Sequence, residues 1–118
     1  MSVSEEETLE LFAGNRVSDY ERAKGWWVRL LGAEPSFLAH ETEAVWQLAE
    51  HASVFIVEDE AGAGGAIHTI VVDDLDERVA AIAARGIEPD DRETYSNGVR
   101  KVIYRDPDGN EIGFGGMP

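Results

Sequence analysis

The chain has 118 residues, the size of a single domain. Its 43% hydrophobic and 29% charged residues are ordinary for a globular protein, and the lack of cysteine excludes disulfides, thiolate metal sites and a thiol nucleophile. Ten Lys+Arg against 24 Asp+Glu give a net charge of −14, which repels phosphate backbones and anionic lipid, so neither nucleic acid nor a membrane is an expected partner.

Residues 1–7, with Glu5, Glu6 and Glu7, lack the basic flank and apolar run of a signal peptide. A frayed start and a cytoplasmic location are expected. From there the chain reads as one domain, 8–118, built twice over. Leu9, Leu11, Ala13 and Val17 alternate with Glu10, Phe12, Gly14 and Arg16, the pattern of a half-buried strand. Ser18 and Glu21 then have capping-box spacing, and Ala23, Trp26, Trp27, Leu30 and Leu31 fall on one helical face, which makes both tryptophans core residues. Gly32 stands where a left-handed cap would end the helix, and Pro35 stops it resuming. Strands are expected at 36–39, 44–49 and 54–58.

Val72, 55 residues after Val17, opens the second copy. It ends a strand at 66–72 and precedes a cap at Asp74 with Glu77, an apolar face of Leu75, Val79, Ile82 and Ala83, a stop at Gly86 and then Pro89. Strands are expected near 93–95, at 99–105 and at 111–114. The last two are joined by a turn at Asp106-Pro107-Asp108-Gly109-Asn110, where Pro presets φ and Gly supplies a positive one. The modules span about 8–60 and 65–115, and Ala61-Gly62-Ala63-Gly64-Gly65 reads as a flexible connector, with no phosphate-loop Lys-Ser/Thr after it.

The duplicated βαβββ pattern, the Val-x-Asp helix starts at Val17 and Val72 and the terminal turn resemble the vicinal oxygen chelate superfamily, which includes glyoxalase I, extradiol dioxygenases and bleomycin-resistance proteins. The resemblance implies an α+β fold, with two modules forming a curled mixed eight-strand sheet and helices outside. It also implies a ligand in the concave face, and a homodimer. Its enzymes hold a divalent metal at fixed points. Counted from the motifs, those points here are Phe12, Ile67 and Gly113, and none of these side chains can coordinate a metal.

No cofactor is therefore expected, and whether the chain is an enzyme stays open. The favoured reading is a bleomycin-resistance-like protein that sequesters a planar or cationic organic ligand. The expected ligand-binding residues are Phe12, Arg16, Trp46, Ile67, Thr69, Tyr104 and Glu111, with Phe12 and Ile67 as an apolar floor and free volume above Gly113. Trp46 reads equally as core or as a stacking platform. The alternative is a glyoxalase-type lyase, isomerase or dioxygenase holding one divalent metal through displaced ligands, His68 and Glu111. By strand parity, a helix-facing His68 and a solvated Glu111 are the plainer expectation. His40 and His51 read as surface residues near turns.

Overall fold

The computed structural model describes residues 9–117; the expected fraying of 1–7 lies outside them. Eight strands and two helices run in the order β1 (Leu11–Val17), α1 (Tyr20–Leu31), β2 (Phe37–His40), β3 (Glu43–Ala49), β4 (Ala52–Glu58), β5 (Ile67–Val72), α2 (Leu75–Ala84), β6 (Asp91–Thr94), β7 (Arg100–Arg105) and β8 (Glu111–Gly116). Each module is a four-stranded mixed sheet, ordered β1-β4-β3-β2 and β5-β8-β7-β6, whose first strand runs parallel to its last. The α+β class and the duplicated βαβββ unit are thus as expected.

The eight strands do not merge into one continuous sheet. At the end of β1 the carbonyl of Arg16 accepts from Asn110 Nδ2 at 2.8 Å and from the Gly64 amide at 3.0 Å. That backbone is therefore committed to the turn and the connector rather than to β5. The connector itself is structured, with a 3₁₀ turn at Glu60–Gly62 followed by Gly64 and Gly65, both at φ 86°.

The helices pack on one face of each sheet. Trp27, Leu30, Trp46, Val54 and Ile56 meet Ile82, Tyr104, Ile112 and Phe114 in a shared core. The α1 cap is Asp19 rather than Ser18: Asp19 accepts from the Arg22 amide at 3.2 Å. Ser18 is drawn away, because its amide and hydroxyl both donate to the Asp108 carboxylate, at 3.1 and 2.6 Å. Gly32 ends α1 at φ 73°, as its position suggests. Arg85, just after α2, then donates to the carbonyls of Arg29 and Leu30, placing a cation on the negative end of α1. Asp74 makes no side-chain capping bond and instead pairs with Arg78 at 3.2 Å.

The turn after β7 is the main joint between modules. Asp106, 5% exposed, accepts from Trp27 Nε1 at 3.1 Å, from Asn110 Nδ2 at 3.0 Å and from the amides of Asp108 and Asn110 at 2.9 and 2.8 Å. Removing such an acceptor leaves a buried indole N–H unpaired and frees the turn, a loss of about 3 kcal/mol. Asp106→Ala is expected to lower the urea midpoint accordingly, while Glu88→Ala, at an exposed acid that makes no side-chain hydrogen bond or ion pair among the described residues, moves it much less.

Candidate functional site

Strand alternation divides every strand between the helix side and an open face. On β1 the helix side takes Asn15 and Val17, so Phe12, Gly14 and Arg16 stand on the open face. The same parity puts Ser53, Phe55 and Val57 of β4 there, with Ile67, Thr69 and Val71 of β5 and Glu111, Gly113 and Gly115 of β8. Register makes the two modules equivalent: Gly14 pairs with Phe55, and Thr69 pairs with Gly113. Phe55 thus occupies in module 1 the place Gly113 occupies in module 2.

Gly14 is what lets the Phe55 ring lie down, since a Cβ at Gly14 would come 2.6 Å from its Cζ. The ring borders a cavity of about 440 Å³, shared with Gly14, Arg16, Val57 and the connector glycines. That volume suits a small organic ligand. Phe12 is half exposed and Ile67 is 71% exposed, leaving apolar surface uncovered along the line between the modules. Arg16 folds back over the connector and pairs with Asp59 at 3.4 Å. Glu111 pairs with Arg105 at 3.2 Å.

Of the residues expected to bind ligand, Phe12, Arg16, Ile67, Thr69 and Glu111 share the open face. Trp46 and Tyr104 do not. Trp46 is 2% exposed, donates its indole N–H to the Ala33 carbonyl at 2.9 Å and packs against Trp27. Tyr104 is wholly buried against Phe114, and burial pushes its phenol above the usual range, the reverse of an activated base. Both sit on the helix side because their strand neighbours Val45 and Ile103 take the open one. The space above Gly113 is also not free: the Lys101 stem crosses it, with Cε 2.5 Å from where a Cβ would stand. Phe55 escaped the sequence reading because the repeat offset is not constant. Val17 and Val72 are 55 residues apart but Phe55 and Gly113 are 58 apart, so only register could align them.

His68 takes the helix-facing place that strand parity gives it, and the alternative of a displaced metal ligand fails. β5 has no bulge, so His68 points to the helix side, where its Nε2 lies 3.1 Å from Asn15 Oδ1. Asn15 Nδ2 donates to the Phe55 carbonyl at 3.1 Å, which leaves Oδ1 as acceptor and makes His68 Nε2 the donor. The pair ties β1 to β5. On the other side of the local pseudo-twofold, Ala13 and Ile70 have no such bond, and a groove of about 1290 Å³ opens between the strands.

The glyoxalase/bleomycin resistance protein/dioxygenase superfamily model matches residues 12–114. A glyoxalase/bleomycin resistance protein from Catenulispora acidiphila is 54% identical, with 93% of this chain and 99% of that one aligned and a TM-score of 0.90. A bleomycin-binding protein solved with bleomycin aligns over 92% and 98% at 16% identity and TM-score 0.74. A lactoylglutathione lyase from Agrobacterium tumefaciens aligns over 95% and 96% at 19% identity and TM-score 0.74. The last two are likenesses of fold. No protein of curated function matches the chain significantly.

The metal of that superfamily's enzymes does not fit the residues present. Phe12, Phe55, Ile67 and Gly113 offer no donor, and Lys101 brings a cation to the same place. His68 and Glu111 lie on opposite faces of adjacent strands and cannot share an ion. Among the described residues no three His, Asp or Glu side chains gather as a metal set. His68→Ala is therefore expected to act on stability, by about 1 kcal/mol through the unpaired Asn15 oxygen, and to leave Ni, Zn, Mn and Fe(II) titrations unchanged. One metal bound tightly per chain and lost in the variant would refute this assignment.

Proposed function

The chain belongs to the glyoxalase/bleomycin resistance protein/dioxygenase superfamily, and from that premise we propose that it is a metal-free small-molecule binder. It holds a flat organic ligand on the open face and does not transform it. One observation carries this reading: the four equivalent points on that face are Phe12, Phe55, Ile67 and Gly113, which form a surface for packing rather than for coordination. The bleomycin-binding neighbour supports it as a precedent for sequestration on this fold. The net charge of −14 favours a cationic guest at long range, while contact with the ligand is set by the open-face side chains, among which Glu111 is paired with Arg105 and Asp91 and Glu93 line β6.

We infer separately that the protein is a homodimer. Leu11, Val71 and Met117 are each more than 60% exposed and line the groove together. The facing edges of β1 and β5 share no ladder. Unpaired edges beside exposed apolar side chains invite pairing, and a second copy satisfies both. No helix among the described residues is long and apolar enough to cross a membrane.

Bleomycin and neutral 2-naphthamide serve as calorimetric probes. Burying roughly 60 Å² of Phe12 against a flat ring is worth about 1.5 kcal/mol, close to tenfold in affinity. Phe12→Ala is expected to weaken binding of the amide by that factor and His51→Ala to leave it unchanged. Equal affinities in wild type and both variants would move the site off this face, and chemical conversion of a probe would make the protein an enzyme. Light scattering should give about twice 12.9 kDa, falling to the single-chain mass in Leu11→Glu. A single-chain mass for the wild type would refute the dimer.

A further inference from the structure

Lys101 has no role in the fold that the rest of the structure accounts for. It stands on the open face of β7, opposite Gly115 on β8, and its stem leans across Gly113 toward β5 and Thr69. Gly113 is what permits this path, because any Cβ there would collide with the lysine Cε. Lys101 is half-buried, yet none of the ion pairs or side-chain hydrogen bonds among the described residues involves it. The other cations on the face are engaged: Arg16 with Asp59, and Arg105 with Glu111. The adjacent acid across the ladder, Glu93, accepts a hydrogen bond from the Tyr95 hydroxyl at 2.9 Å.

We propose that the Lys101 ammonium, laid across Gly113, anchors the carboxylate of a flat aromatic ligand whose ring lies on Phe12, Phe55 and Ile67. The inference rests on the open-face reading above and adds the charge of the ligand to it. An ammonium offers three donors and no acceptor, and one whose stem is packed down and whose donors have no protein partner gains from an anion. The net charge of −14 does not oppose this at contact range. Exposed charges are screened over about 8 Å at physiological ionic strength, whereas a carboxylate on Lys101 would touch it.

The test compares 2-naphthoate with 2-naphthamide and the 2-naphthylmethylammonium cation by calorimetry on the full chain. The naphthoate is expected to bind at least tenfold more tightly than the amide. Lys101→Met, which keeps the stem over Gly113, should bring that ratio close to one without changing amide affinity. Lys101→Arg should restore it. An undiminished ratio in Lys101→Met, equal binding of naphthoate and amide by the wild type, or tightest binding of the cation would each overturn the anchor while leaving the open-face site standing. Binding of none of the three, or amide binding indifferent to Phe12→Ala, would overturn the open-face reading and the anchor with it.

Discussion

The arrangement of the two modules depends on one buried carboxylate. Asp106 sits in the turn before β8, yet its acceptors are filled from both halves of the protein, by the Trp27 indole of α1 and by the turn's own amides and Asn110. Asn110 extends the joint: its amide nitrogen reaches the Arg16 carbonyl, and its oxygen takes the Ala66 amide at 3.1 Å. Asp108 adds Ser18. Such a network holds only when every member is satisfied, because a partly paired buried charge costs more than it returns. The end of β1, the start of β5 and the approach to β8 are thereby set against one another. The open face inherits its geometry from that joint.

The duplication gives the molecule a local pseudo-twofold, and its useful features lie where that symmetry fails. Asn15 and His68 bond across the module boundary while Ala13 and Ile70 leave a groove. Phe55 fills its side of the face while Gly113 yields its side to Lys101. In the first case one polar pair closes a gap that two apolar residues cannot. In the second, an aromatic ring and a lysine side chain stand at equivalent places, so the two halves of the face differ in chemistry. A symmetrical cup would present the same chemistry twice.

Packing also separates residues that look alike in sequence. Trp46 and Phe55 are both aromatic strand residues, and register faces Trp46 with Val54, directly beside Phe55. Adjacent positions on a strand point to opposite faces, so one aromatic became core and the other became surface. Trp46 is held there by its bond to Ala33 and its contact with Trp27. The Asp76–Arg100 pair, at 2.9 Å, shows the same economy at the groove: the guanidinium holds the Asp76 carboxyl below its ordinary range although both are exposed.

By itself the sequence determined the βαβββ repeat, the Gly32 stop, the buried Trp26 and Trp27 and the lack of metal donors at Phe12, Ile67 and Gly113. These are local matters of period, cap and side-chain chemistry, legible within a few residues. Alternation alone says which strand residues share a face: Phe12 with Gly14, and Ile67 with Thr69. Which face that was for β3 and β7 depended on contacts made elsewhere, and Trp46 and Tyr104 went to the core. The cap at Asp19, the joint at Asp106 and the crossing of Lys101 over Gly113 belong to the tertiary structure. The Trp27–Asp106 and Arg16–Asn110 bonds join residues 79 and 94 positions apart, and no local pattern encodes a partner at that distance.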